Sequence, residues 1–252
     1  MNWLNFKRWG VCLGLLLISF VPAEAAMSFP NINIGMQTAN TPQDFTNGLQ
    51  ILIWLTILTL APSILIMTTS FVRLVVVLSL TRQALGAGTL PPNQVITSLA
   101  LILTFFIMAP TFNEINEKAL QPYMNNQITQ QVALDRGIVP VRNFMFKQTH
   151  EKELALFVRM AKIEKPKNKD DVPTYVLLPS FILSELKTAF TIVFFFSLPF
   201  LVIDIVVSSV LVSMGMMFLP PTMIALPFKL IMFVMVDGWY LVVKSLVESF
   251  VR

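Results

Sequence analysis

Between Ser180 and Tyr240 the chain is as apolar as a membrane span, yet Glu185, Lys187, Asp204, Lys229 and Asp237 are set into it. A charge at the centre of a bilayer costs at least about 2.5–3.5 kcal/mol on insertion scales. Five such groups need partners or water. Two charge signs within one hydrophobic block therefore imply helices that pair with one another, or with copies of themselves, around a polar path. A simple anchor has no use for that pattern. The rest of the chain agrees: 55% of its 252 residues are hydrophobic and the mean hydropathy is +0.71, values of a multi-pass membrane protein.

The N-terminus has the three parts of a secretory signal. Lys7 and Arg8 give a positive start, Gly10 to Val21 a short apolar run, and Ala23-Glu24-Ala25 a small-x-small cleavage site. Cleavage after Ala25 would remove Cys12, the only cysteine, and with it any thiol or disulfide chemistry. The alternative is an uncleaved first helix. We expect a signal peptide over 1–25, an exported arm over 26–48, a first helical hairpin over 49–112, a polar helical segment over 113–180 and a second hairpin over 181–252.

The first hairpin has one long apolar block, Leu49 to Leu80, interrupted by Pro62, Arg73 and a patch of Ser and Thr, which predicts a long kinked helix or a helix with a broken end near Pro62. Its second helix opens after Pro91-Pro92 and is expected to stop near Pro110. In the second hairpin, helices are expected over 184–212 and 222–243. The two connecting turns share wording: Gly86-x-x-x-Leu90-Pro91-Pro92 and Gly215-x-x-x-Leu219-Pro220-Pro221, with Ser79 and Ser208 each seven residues upstream. That spacing predicts two hairpins of the same orientation. Between them, Leu154, Phe157, Val158 and Ala161 fall on one stripe and predict an amphipathic helix. An exported N-terminus and four crossings would put this polar segment outside. Its length, just over about 60 residues, is where the positive-inside rule loses force.

Enzyme signatures are absent. A single histidine, His150, excludes the H-E-x-x-H zinc motif, and no nucleotide-binding or nucleophile-elbow motif occurs. The net charge of +4 is modest and supports no nucleic-acid role, and nothing calls for a cofactor or metal. Glu185 and Lys187, two residues apart, cannot pair with each other; they either reach to an interface or pair elsewhere, Glu185 with Lys229 being the sharper expectation. Asp204 has no neutralising neighbour in sequence and must be protonated, hydrated or paired through the fold. Asp237-Gly238-Trp239 closes the fourth apolar block, with Trp239 as an interfacial anchor. Met214, Met216 and Met217 crowd the second turn, either as core filling or as a deformable seal.

Longer stretches resemble a known family. Phe71 to Pro110, then SELKTAF, LPFLVIDIVVSSVL, SMGMM, LPFKL and VDGW between Phe181 and Trp239, are similar to the FliP family of flagellar type III export-gate proteins. VRNFMFKQTHEKELALFVRMA in the polar segment joins them. The resemblance implies an all-α, membrane-associated, non-enzymatic protein whose two hairpins assemble into a multi-subunit helical cone. It implies a homo-oligomer with FliQ and FliR, beside other export-gate membrane proteins, in the bacterial inner membrane at the flagellar basal body. Unfolded flagellar subunits would be the cargo, and the N-terminus and the 113–180 segment would be periplasmic. It also implies that Met216, Met217 and Phe218 form a pore gasket, with Phe218 standing where a third Met is usual. The five charges would then be intersubunit or intramembrane pairs. A proton-linked secondary transporter using Asp204, and a non-conducting assembly scaffold, are the alternatives.

Overall fold

The structure, a computed structural model, describes residues 42–251 apart from 89, 164, 165, 167 and 217. The expected signal peptide with its cleavage after Ala25, most of the expected arm, and Met217 lie outside the described residues. Residues Ile53–Arg252 form one compact unit; the other, Met1–Leu52, contributes the first turns of the first helix to the described residues.

The fold is all-helical, with no strand among the described residues. In order come α1 (Pro42–Met67), α2 (Phe71–Ala84), α3 (Asn93–Ile115), a π-helical turn (Asn116–Leu120), α4 (Gln121–Met124), α5 (Gln130–Gln148) and α6 (Glu151–Met160). Then follow α7 (Thr174–Ser213), α8 (Pro221–Met235) and α9 (Gly238–Val251). Among the described residues, three helical stretches are long and apolar enough to cross a membrane: Gly48–Met67, Asn93–Met124 and Thr174–Ser213. Taking α8 and α9 as one broken span, bent by 63°, makes four.

Prolines do not stop these helices. Pro62, Pro110, Pro140, Pro179, Pro199 and Pro227 all lie inside one. The expected stop at Pro110 is thus wrong: α3 runs on to Ile115 and into the π-helical turn. Proline removes a single i→i−4 bond, and in an apolar setting the remaining backbone groups have no better partner than the helix itself. The stops that hold are left-handed glycines. Gly86 (φ +74°) and Gly215 (φ +75°) end α2 and α7. The two turns share three hydrogen bonds at equivalent positions: Leu85 N–H to Thr81 and Met214 N–H to Val210, Gly86 to Gln83 and Gly215 to Val212, Leu90 to Ala87 and Leu219 to Met216. The repeat seen in the sequence is therefore a repeat of turn geometry.

Two cores hold the compact unit. In the first, Leu74, Val77 and Leu78 of α2 are fully buried against Ala189, Val193 and Phe200 of α7, Ile96 and Ala100 of α3, Phe233 of α8, and Val242 and Leu246 of α9. α2 is thus the central helix, and α7 its most extensive neighbour. Lipid would be as apolar as these side chains, so close packing and small residues must hold this core. Ala100 and Ala189, both fully buried, supply the small ones. The second core joins Met145, Val158, Val172, Val176, Leu177 and Phe181, from α5, α6 and the first turns of α7. Here the outer faces are polar, and burial from water stabilises in the ordinary way. The predicted stripe of Leu154, Phe157, Val158 and Ala161 is the inner face of α6.

α7 spans both cores. Its 40 residues reach about 60 Å, roughly twice the hydrocarbon thickness of a bilayer. It begins ten residues before the expected start at 184. α1, by contrast, exposes every side chain described between Leu49 and Met67, and belongs against lipid or a partner.

Candidate functional site

Four of the five charges set into the apolar block, together with Arg73 and Glu153, form three ion pairs, each joining different helices. The most buried is centred on Arg73, which the sequence presents only as an interruption in an apolar run. Its guanidinium forks onto Glu185: Nε donates to Oε2 at 2.9 Å and Nη2 to Oε1. Nη2 also donates to Gln148 Oε1 at 3.0 Å. Nη1 donates to the Ser249 hydroxyl at 2.9 Å and its carbonyl at 3.2 Å. Arg73 is 2% exposed and Glu185 fully buried. A bidentate pair with both groups fully hydrogen-bonded is the arrangement a low-dielectric site requires.

The second pair is Lys229 of α8 with Asp204 of α7, 2.6 Å apart. Lys229 Nζ also lies 3.5 Å from the Ala84 carbonyl, so the ammonium sits at the negative end of α2. This pair floors an open cleft of about 500 Å³, whose lining includes Gln83, Gly86, Ser197, Phe200, Asp204 and Lys229. The third pair links Lys187 of α7 to Glu153 of α6 at 2.7 Å. The hydrogen bond from Lys187 holds the Glu153 carboxyl below the usual carboxylate range, against the upward push of desolvation.

The expected pairing of Glu185 with Lys229 is therefore corrected: each has its own partner, Arg73 and Asp204. The sequence could not choose between two bases and two acids separated by whole helices. One signal was available, since an arginine in the run Phe71 to Leu80 demands a carboxylate as strongly as Asp204 demands a base. Charge reversal should accordingly rescue across Asp204 and Lys229. We expect Asp204→Lys to lose most folded protein, Asp204→Lys/Lys229→Asp to recover a substantial part, and Glu185→Lys/Lys229→Glu to recover none. Folded yield in detergent, read by size exclusion, decides it.

Asp237 makes no ion pair among the described residues. It sits in the left-handed region (φ 52°) at the elbow between α8 and α9, so the fourth apolar block does not end there but turns. Gly238 follows because the Phe233 ring occupies the space a side chain would need. In the second turn, Phe218 is fully exposed and Met214 and Met216 are 63% and 43% exposed, so these side chains do not fill the chain's own core.

Comparison with known proteins bears on the same residues. The FliP family model matches residues 54–246, which takes in all three ion pairs, both glycine turns and the elbow. The chain belongs to the FliP family. Its similarity to individual members is close: 52% identity to the flagellar biosynthetic protein FliP of Bacillus subtilis over 86% of this chain and 98% of that protein. The FliP of Pectobacterium carotovorum is 48% identical over 98% and 94% of the two chains, and that of Caulobacter vibrioides 50% over 95% and 89%. In this FliP-family chain the charged residues read from the sequence act first as ties within one subunit.

Proposed function

We propose that this chain is a pore-forming core subunit of the flagellar type III protein export gate. Several copies assemble with FliQ and FliR and pass unfolded flagellar subunits across the bacterial inner membrane. Membership of the FliP family over residues 54–246 carries the reading. The surface supports it. Phe190, Phe194 and Phe195 on α7, Phe105 and Phe106 on α3, and the whole described length of α1 are exposed apolar surface awaiting lipid or neighbouring subunits. The second turn presents Met214, Met216 and the bare Phe218 ring outward, which suits a compliant seal contributed by several copies. Asp237, exposed and without an ion pair among the described residues, remains available to a neighbouring subunit, whereas Glu185, Lys187, Asp204 and Lys229 are already paired. The N-terminus and the polar α5–α6 segment face the periplasm in this reading.

The test is deletion of the gene with complementation in trans, assaying hook and flagellin subunits in the culture medium. Export should stop and return with the wild-type copy. A complementing Met216→Ala/Met217→Ala chain should assemble but leak small ions. Export that continues in the deletion strain would overturn the assignment. Assembled double-alanine complexes that stay tight would overturn the gasket alone.

A further inference from the structure

We infer that the last turn of α9 is a strap that completes and seals the buried Arg73–Glu185 pair, so that the core of the chain closes only when Ser249 and Phe250 are docked. A guanidinium has five N–H donors. In this structure five contacts receive them: two to Glu185, one to Gln148, and two to Ser249. The Ser249 pair is the whole supply for Nη1. Ser249 can accept there because its own hydroxyl proton goes to the Leu246 carbonyl at 2.7 Å.

Phe250 adds the lid. Its ring lies 3.9 Å from the guanidinium carbon and stacks on Phe144 of α5, with centroids 6.2 Å apart and planes at 18°. Its carbonyl accepts a hydrogen bond from Gln148 Nε2 at 3.3 Å. The last turn thus touches α2 and α5 through charge, stacking and backbone at once. With the strap undocked, two N–H groups of a buried cation face an apolar core without acceptors. The final residues of the chain consequently control a centre contributed by α2, α5 and α7, elements that precede them by 36 residues or more in the order given above. This makes docking of the last turn of α9 a condition for a closed subunit.

A thiol reporter tests it. Ser70 lies one turn before Arg73 on the same face, is fully buried, and its hydroxyl has no hydrogen-bond partner among the described residues, so Ser70→Cys loses none there. In a full-length Cys12→Ser/Ser70→Cys chain, a maleimide should react slowly. Ser249→Ala, Phe250→Ala, or deletion of residues 249–252 should accelerate labelling at least about tenfold through local opening. Unchanged labelling in all three overturns the strap. A second arm guards against simple unfolding. In an Arg73→Met/Glu185→Met chain, where no buried charge needs Ser249, Ser249→Ala should leave the unfolding midpoint unchanged, while it lowers the midpoint of the wild type. An equal fall in both backgrounds shows that Ser249 acts without the pair and overturns the proposal.

Discussion

Arg73→Met alone should be among the most damaging single substitutions in this chain, and adding Glu185→Met should undo most of the damage. Removing one partner of a buried pair leaves the other charge stranded, at a cost of about 3–5 kcal/mol. Glu185 is fully buried, and both of its oxygens bond to Arg73. Its loss of partner therefore has no local remedy from solvent. Removing both charges together takes away the attraction but also the desolvation, and apolar replacements of similar volume are commonly neutral or stabilising. We expect thermal unfolding in detergent to fall on the order of 10 °C for Arg73→Met, and to return close to wild type in the double variant. A double variant as unstable as the single one would mean that the pair supplies net stability rather than specificity. The Gln148 side-chain oxygen, which accepts from Arg73, would remain as a polar atom facing the two methionines, which sets a ceiling on the recovery.

The apolar character of the helices was legible in the sequence because length and hydropathy decide it, but the block Leu49 to Leu80, expected as one helix kinked or broken near Pro62, is two, α1 and α2, parted at Thr68-Thr69-Ser70. The two glycine turns were legible for a different reason: a left-handed residue is chemically marked, and Gly86 and Gly215 carry the mark at matching positions. A proline misled, because Pro110 looks like a boundary, yet a helix in apolar surroundings keeps its remaining hydrogen bonds and runs through it. The elbow at Asp237 went unseen, since Val234 to Leu241 is uniformly apolar apart from Asp-Gly and reads as one helix nearing its end. Among the site residues, all four of Glu185, Lys187, Asp204 and Lys229 were marked by being charges in the wrong solvent. The groups that complete the Arg73 centre were not. Gln148 and Ser249 are ordinary polar residues in sequence, and only the packing of α5 and α9 onto α2 gives them a cation to bind.

Gly238→Ala should straighten or unseat the α8–α9 elbow, an effect far beyond the usual alanine-for-glycine exchange. A Cβ at position 238 would lie 2.1 Å from Phe233 Cε2 and 2.2 Å from Cδ2, inside any contact distance. The ring has little room to yield. Phe233 is 5% exposed, its centroid is 6.2 Å from that of Phe200, and Trp239 stands perpendicular to it at 5.4 Å. Relief must come from the backbone, and overpacking of this kind costs about 1–3 kcal/mol or more. The elbow's geometry matters because α8 carries Lys229 and α9 carries Ser249. Opening the 63° bend would draw Lys229 from Asp204 and Ser249 from Arg73 in the same movement. We therefore expect Gly238→Ala to lower the unfolding midpoint and to abolish complementation of export. Phe233→Ala, which leaves a cavity and costs about 3–5 kcal/mol by itself, should make the Gly238→Ala step nearly neutral when the two are combined. Additive losses would instead mean that the ring and the glycine do not compete for the same space. In that case the angle between α8 and α9 is set by the left-handed backbone of Asp237, and Asp237→Pro becomes the substitution that breaks the elbow.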